Sequence, residues 1–378
     1  MKNPFSAEHP VIPVNFAGRR DQLQEFKRFL NDTIEGNSKN LAVLGSWGIG
    51  KTSILRMFRH IAMDAGCIAT IIELGEATDS FISLFELIVQ SLARDAAHVK
   101  TLDSRVRDLL ETLSFSVQYG PIGISIAERK RANPNIMKFK DDLVSIHHQT
   151  KVPYLVMLDN AEYLLRMRGA IFELRNIFQT LQSLDGTPSM LILSGKETLF
   201  SDIHSASEPA VRFFWGIELG PFIPQETREA IERPLIGTSV KFTEDCVQAI
   251  HTLSCGHPYF VQVFAYHLFS LRTSDKITTS DLEHNYPSLM NYLGKRLFGS
   301  LYANLSATER EVMGAFSLSD KDVLTNTEIG FLCKVKSVNK HLKVLSELPH
   351  PVLSRRERGK YSLFHPLFKE YMRTVTKQ

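Results

Sequence analysis

The eight residues Gly45-Ser46-Trp47-Gly48-Ile49-Gly50-Lys51-Thr52 restrict the fold of this chain more than any other stretch. They fit the pattern G-x-x-x-x-G-K-[ST] of a phosphate-binding loop, which has meaning only between a strand and a helix. Both flanks are present. Leu41-Ala42-Val43-Leu44 is an apolar run of strand length, and from Ser53 onward Ile54, Leu55, Phe58 and Ile61 recur at helical spacing. Glycines at 45 and 50 let successive backbone N–H groups turn toward one anion. The start of the following helix adds the positive end of its dipole. Lys51 then reaches β- and γ-phosphates, and the Thr52 hydroxyl is a ligand for Mg²⁺. The cofactors expected are therefore ATP or ADP with Mg²⁺.

Apolar strand runs alternate with helical patterns through the first 220 residues. Cys67–Leu74, Tyr154–Asp159, Met190–Ser194 and a stretch over about 214–219 read as further buried strands. Helices are expected over about 20–36, 80–97, 103–114, 135–149, 161–167 and 170–184. This order predicts an α/β fold, a parallel sheet with helices on both faces. Residues 115–127 alternate around Gly120-Pro121 and read as a β-hairpin inside an insertion of about 98–134. Beyond Pro221 the pattern is almost wholly helical, over about 225–232, 243–254, 258–272 and 279–304. Helices at about 307–317, 326–333 and 336–347 precede two short strands, Val352–Ser354 and Lys360–Leu363. Three helices and a hairpin make a winged-helix layout. The expected division is a core at 1–220, a helical lid at 221–304 and a winged helix at 305–378.

Asp159 ends an apolar strand about a hundred residues after the loop, the position from which an acid holds Mg²⁺. Asn160 follows it. An amide orients water but cannot take its proton, so slow or absent hydrolysis is expected. Glu162, two residues further on, is the acid that could substitute, but on the next helix it is expected to face solvent. Ser194, ending the next buried strand, is placed to sit beside a γ-phosphate.

Composition sets the outer bounds. With 43% hydrophobic and 22% charged residues the chain is an ordinary globular one. No apolar run approaches the roughly 18 residues that span a bilayer, so no membrane partner is expected. The N-terminal residues lack a signal-peptide core. Cys67, Cys246, Cys255 and Cys333 are scattered, which suits reduced thiols in a cytoplasmic protein.

Several motifs follow one another in a set order: Phe16-Ala17-Gly18-Arg19-Arg20, the phosphate loop, Leu158-Asp159-Asn160, Leu193-Ser194-Gly195, Arg212 through Leu219, Cys255-Gly256-His257-Pro258-Tyr259, and Tyr361 through Phe368. The series resembles the archaeal-type AAA+/STAND P-loop ATPases related to origin-recognition and initiator ATPases, and it covers nearly the whole chain. The resemblance implies an adenine pocket around Val14, Phe16 and Arg19. It implies that Arg212 contacts γ-phosphate, often from a neighbouring subunit, and that His257 and Pro258 form a second sensor at the start of a lid helix. It also implies a homo-oligomer or a separately encoded partner. Asn160 departs from the acid usual in such proteins.

Residues 334–360 hold eight basic side chains (Lys334, Lys336, Lys340, Lys343, Arg355, Arg356, Arg358 and Lys360) against Glu347 and Glu357. That is +6 within a chain whose net charge is +3. A recognition helix carrying Lys336, Asn339, Lys340 and Lys343, with a basic wing, suits double-stranded DNA. The same layout serves protein docking. Three functions stay open at this point: a nucleotide-gated switch acting at DNA, a signalling or defence ATPase whose winged helix docks protein, and an ATP-binding protein that has lost hydrolysis.

Overall fold

The computed structural model describes residues 2–6, 8–96, 133–167, 169–206, 211–333, 335, 337–347 and 351–375. The expected hairpin at 115–127 and Lys336 lie outside the described residues. The chain forms two compact units, one of Glu8–Pro221 and the other of Met1–Ala7 with Phe222–Gln378.

In the first unit, helix α1 (Arg20–Ile34) precedes strand β1 (Asn40–Leu44), α2 (Lys51–Asp64) and β2 (Ile68–Glu73). Then come α3 (Phe81–Ala96), α4 (Asn133–Thr150), β3 (Tyr154–Asp159), a 3₁₀ turn (Ala161–Arg166), α5 (Ala170–Ser183), β4 (Ser189–Gly195), α6 (Leu199–Ala206) and β5 (Phe214–Glu218). The five strands pair in the order β2-β3-β4-β1-β5, and every pairing is parallel. Each connection therefore crosses over through helix, as parallel neighbours require.

Alternate residues of β1 face opposite layers. Leu41 and Val43 join Phe26, Leu30, Leu55, Phe58 and Met157 on one side. Ala42 and Leu44 join Ile88, Val156, Leu158, Leu174 and Phe178 on the other. Burial of both faces is why these strands read as unbroken apolar runs. Each fully buried Leu, Val or Phe contributes roughly 1.5–3 kcal/mol, and the whole sheet serves to hold its carboxyl ends in register.

The second unit continues with α7 (Pro224–Glu232), β6 (Lys241–Phe242), α8 (Glu244–Ser254), α9 (Pro258–Leu271), β7 (Lys276–Ile277) and α10 (Thr279–Leu293). The helix expected to run unbroken over 279–304 changes to a π-helical turn at Gly294–Phe298 before α11 (Gly299–Ala303). The α8–α9 corner is tight: Cys255 and Gly256 both have positive φ, 49° and 67°. A Cβ on Gly256 would lie 2.2 Å from the Phe222 carbonyl oxygen. Gly256→Ala is expected to lower stability by about 3 kcal/mol through backbone strain and that clash; denaturant titration of the full chain measures it.

Next come α12 (Ala307–Leu318), β8 (Val323–Thr325), α13 (Asn326–Cys333), α14 (Val338–Glu347), β9 (Leu353–Glu357), β10 (Lys360–Leu363) and α15 (Pro366–Val375). Two details differ from expectation. The two-stranded hairpin gains β8 as a third strand, paired antiparallel to β10. Arg355 and Arg356 belong to β9 and not to the loop, which shrinks to Arg358-Gly359, with Gly359 at φ 77°. A glycine at positive φ suits a two-residue hairpin turn. The His365 ring is buried here: Nδ1 accepts the Leu367 N–H, and Nε2 lies 2.9 Å from the Ser254 carbonyl oxygen. Burial pushes the His365 imidazole down to about 4, opposed by the Ser254 hydrogen bond.

Candidate functional site

The site lies at the carboxyl ends of β1, β3 and β4. β1 delivers the chain to Gly45, where a Cβ would stand 2.7 Å from Ile49 Cγ2 and 3.0 Å from the Leu219 carbonyl oxygen. Gly48 and Gly50 take φ of 73° and 101°, and α2 begins at Lys51. The loop thus turns its backbone back on itself and opens a helix N-terminus, with Thr52 and Ser53 in the first turn. Ser46 is exposed, Trp47 half-buried and Ile49 buried.

Lys51 lies across this loop, donating from Nζ to the carbonyl oxygens of Gly45 and Ser46, each at 2.9 Å. Burial lowers its pKa. The carboxylates of Asp159, Glu162 and Glu197 oppose that shift, and Lys196 adds to it. An ammonium desolvated in this way gains from an arriving anion.

The Asp159 carboxylate, 2% exposed, ties the end of β3 to β4 and to the first turn of α2. Oδ2 accepts the Thr52 hydroxyl at 2.6 Å, and Oδ1 accepts the Ser194 hydroxyl at 2.7 Å and the Asn160 N–H at 3.0 Å. A hydroxyl and a carboxylate oxygen held together beside a phosphate loop are the hard donors that fit Mg²⁺. Among the described residues no group of three or more His, Cys, Asp or Glu could hold a metal. A cation here would take the rest of its shell from phosphate and water.

The neighbouring expectations fare differently. Arg19, 5% exposed at φ 59°, donates to the Ile49 carbonyl oxygen at 3.1 Å, so it braces the phosphate loop from behind. Phe16 packs in the cluster that contains Ile49, whereas Val14 is 72% exposed on the 3₁₀ turn Pro13–Asn15. Asn160 adopts φ 57°, and its Nδ2 donates to the Leu74 carbonyl oxygen at 3.4 Å. Glu162 does not face solvent as expected. Its Oε2 is buried, accepts no hydrogen bond from any described residue, and lies 3.1 Å from where a Gly195 Cβ would stand.

Arg212 is exposed on the turn before β5. Phe214 of β5 pairs with Asn40, the first residue of β1, while the phosphate loop follows Leu44, the last. Five residues of strand, roughly 16 Å, therefore put Arg212 at the opposite end of the sheet from its own loop.

His257 and Pro258 belong to the other unit, at the N-cap and first position of α9, with the His257 ring 5.1 Å from Phe260 and 6.0 Å from His365. On α14, Asn339, Lys340 and Lys343 are exposed, as are Arg355 and Arg358 on the hairpin. Asn339 Oδ1 accepts from Asn326 Nδ2 at 3.1 Å, and Lys343 pairs with Glu347 at 3.9 Å.

A parallel sheet that delivers a glycine loop, a lysine and a buried acid to one edge defines the P-loop nucleotide-binding class. Residues 15–195 match the AAA ATPase domain family, and this segment is an AAA ATPase domain. Solved structures share the fold across nearly the whole chain. The Aeropyrum pernix ORC2 protein, in its ADPNP–ADP complexes, is 14% identical with a TM-score of 0.61, covering 98% of each chain. The Walker-type ATPase of Pyrococcus abyssi is 16% identical at 0.60, covering 95% of this chain and 98% of its own. Cdc6p from Pyrobaculum aerophilum is 15% identical at 0.51, covering 99% and 97%. In sequence, an uncharacterized HTH-type transcriptional regulator from Methanocaldococcus jannaschii is 22% identical, over 97% of this chain and 90% of its own length. No helix among the described residues is long and apolar enough to cross a membrane.

Proposed function

We propose that this protein is a nucleotide-dependent switch that binds ATP–Mg²⁺ at the phosphate loop and acts on DNA through a C-terminal winged helix. The observation that carries the reading is the Asp159 carboxylate, joined at once to Thr52 beside the loop and to Ser194. A bound cation and γ-phosphate would exchange both of these contacts together, so the site would differ between ATP and ADP. In this reading Gly45 through Ser53 cradle the phosphates, Lys51 neutralises them, Thr52 and Asp159 hold Mg²⁺, and Ser194 faces the γ-phosphate. By the resemblance, Phe16 and Arg19 border the adenine, and His257 and Pro258 report nucleotide state.

The DNA assignment rests on charge that is exposed and unevenly spread. Lys340, Lys343, Arg355 and Arg358 are all exposed within α12–α15. The name of the Methanocaldococcus relative points the same way. Anisotropy of a labelled duplex across a salt series, with ATP, ADP or no nucleotide, tests it. The expected result is ATP-dependent binding that weakens steeply with salt. Neutralising Arg355, Arg356 and Arg358 together should reduce the logarithmic salt slope by about 3. Binding that ignores both nucleotide and salt would exclude this role.

One observation favours a second reading. Phe331 on α13 is 85% exposed, an aromatic better suited to a protein surface than to phosphates. If duplex binding fails in every nucleotide state, the helix-and-hairpin module docks protein instead.

A further inference from the structure

We infer that Glu162, and not the residue beside the magnesium-binding acid, is the group that activates water for ATP hydrolysis. The inference rests on the ATP-binding reading above and adds a residue to it.

Asn160 stands where a base is expected, but its geometry gives it other work. Its left-handed backbone turns the amide toward Leu74, at the end of β2, where Nδ2 donates to a carbonyl. A glutamate would also fit poorly at this φ, which disfavours ordinary L-residues. The Asp159 carboxylate already accepts from Thr52, Ser194 and the Asn160 N–H.

Glu162 differs from both. The 3₁₀ turn Ala161–Arg166 folds it back over the end of β4. There it lies against Gly195, whose lack of a side chain leaves room for the carboxylate, next to Ser194. Its Oε2 is buried without a donor among the described residues. A buried carboxylate oxygen left unmatched costs stability unless something else uses it. It also acts electrostatically on the Lys51 ammonium. Of the other two acids acting on that lysine, Asp159 is already hydrogen-bonded and Glu197 is exposed. Glu162 is thus a shielded acceptor at the edge of the strand that carries Ser194, within the field of the phosphate-binding lysine.

The step balances without any further reagent. A water oxygen bonds to the γ-phosphorus as the bond from that phosphorus to the β–γ bridging oxygen breaks, and the electron pair leaves with ADP. One proton of the water passes to the Glu162 carboxylate and then to solvent, leaving inorganic phosphate.

The test compares the full-length protein with Glu162→Gln, which keeps shape and removes charge. Affinities for mant-ATP and mant-ADP are measured with Mg²⁺, together with single-turnover hydrolysis of labelled ATP. Expected are turnover lower by about 100-fold or more, unchanged ADP affinity, and ATP affinity several-fold tighter because a carboxylate facing the γ-phosphate is gone. Glu162→Asp, which keeps the charge but withdraws the oxygens, should slow turnover without that change in nucleotide preference. Wild-type turnover in Glu162→Gln, or equal loss of affinity for ATP and ADP, overturns the assignment. A native protein that binds ATP but never hydrolyses it also overturns the assignment, and the switch reading stands. A native protein that binds neither nucleotide removes both.

Discussion

Replacing Lys51 with alanine is expected to weaken ATP binding by about 100-fold or more while leaving the free protein folded. The ammonium is held by two loop carbonyls, Gly45 and Ser46, on a half-buried side chain, and burial lowers its pKa. Charge-assisted hydrogen bonds of this kind are worth roughly 1.5–3 kcal/mol each, and 1.4 kcal/mol is a tenfold change in affinity. Losing one or two of them on a triphosphate therefore removes most of the measurable binding. The free protein loses only two hydrogen bonds to backbone and is relieved of a desolvated charge, so its melting temperature should change little. Isothermal titration with ATP–Mg²⁺, beside a thermal melt, separates the two effects. Unchanged affinity would remove the phosphate-binding assignment, and with it the function built on it.

Arg212→Ala should cut turnover by about 1000-fold with ATP affinity preserved. The direction follows from the sheet: the arginine stands before the first residue of β5, and the loop lies after the last residue of β1. If Arg212 contacts a γ-phosphate, as the resemblance implies, an arginine so placed would reach it only in a second copy of the chain. The distinguishing experiment mixes Arg212→Ala with Lys51→Ala. Neither variant turns over alone, but the mixture contains junctions with an intact loop on one side and an intact arginine on the other, and should regain activity. A mixture as inactive as its parts, or normal turnover by Arg212→Ala, excludes a shared site.

The sequence displays the parts of this site that depend on local rules. Gly45, Gly50, Lys51 and Thr52 are legible because a phosphate loop needs particular backbone angles and donors over consecutive residues. Asp159 is legible because an acid ending an apolar strand breaks a strong pattern. The strands were found for the same reason, being buried on both faces. Long-range relations were not legible. The bond from Arg19 to Ile49 depends on how α1 approaches the loop, and the Gly18-Arg19 pair, both at positive φ, was its only local sign. The position of Glu162 turns on a 3₁₀ turn where an α-helical pattern was read, which rotates its side chain from solvent toward Gly195. Strand β8 was missed because three residues, Val323–Thr325, give too little alternation to register. The extent of β9 is hidden for a related reason: Arg355 is charged and exposed, and a strand open on one face carries charge there.

The strand order has a mechanical meaning. β1, which carries the loop, and β3, which carries the acid, do not touch as neighbours, because β4 is inserted between them. The gap between lysine and carboxylate is set by the width of a third strand, bonded on both edges and tipped by Ser194. β4 works as a shim. A γ-phosphate that draws Ser194 toward itself pulls on two backbone ladders at once, so the displacement is shared by the entire sheet and not absorbed by a loop. In the switch reading, a signal that begins as one hydroxyl changing partners would thereby be carried by the whole sheet.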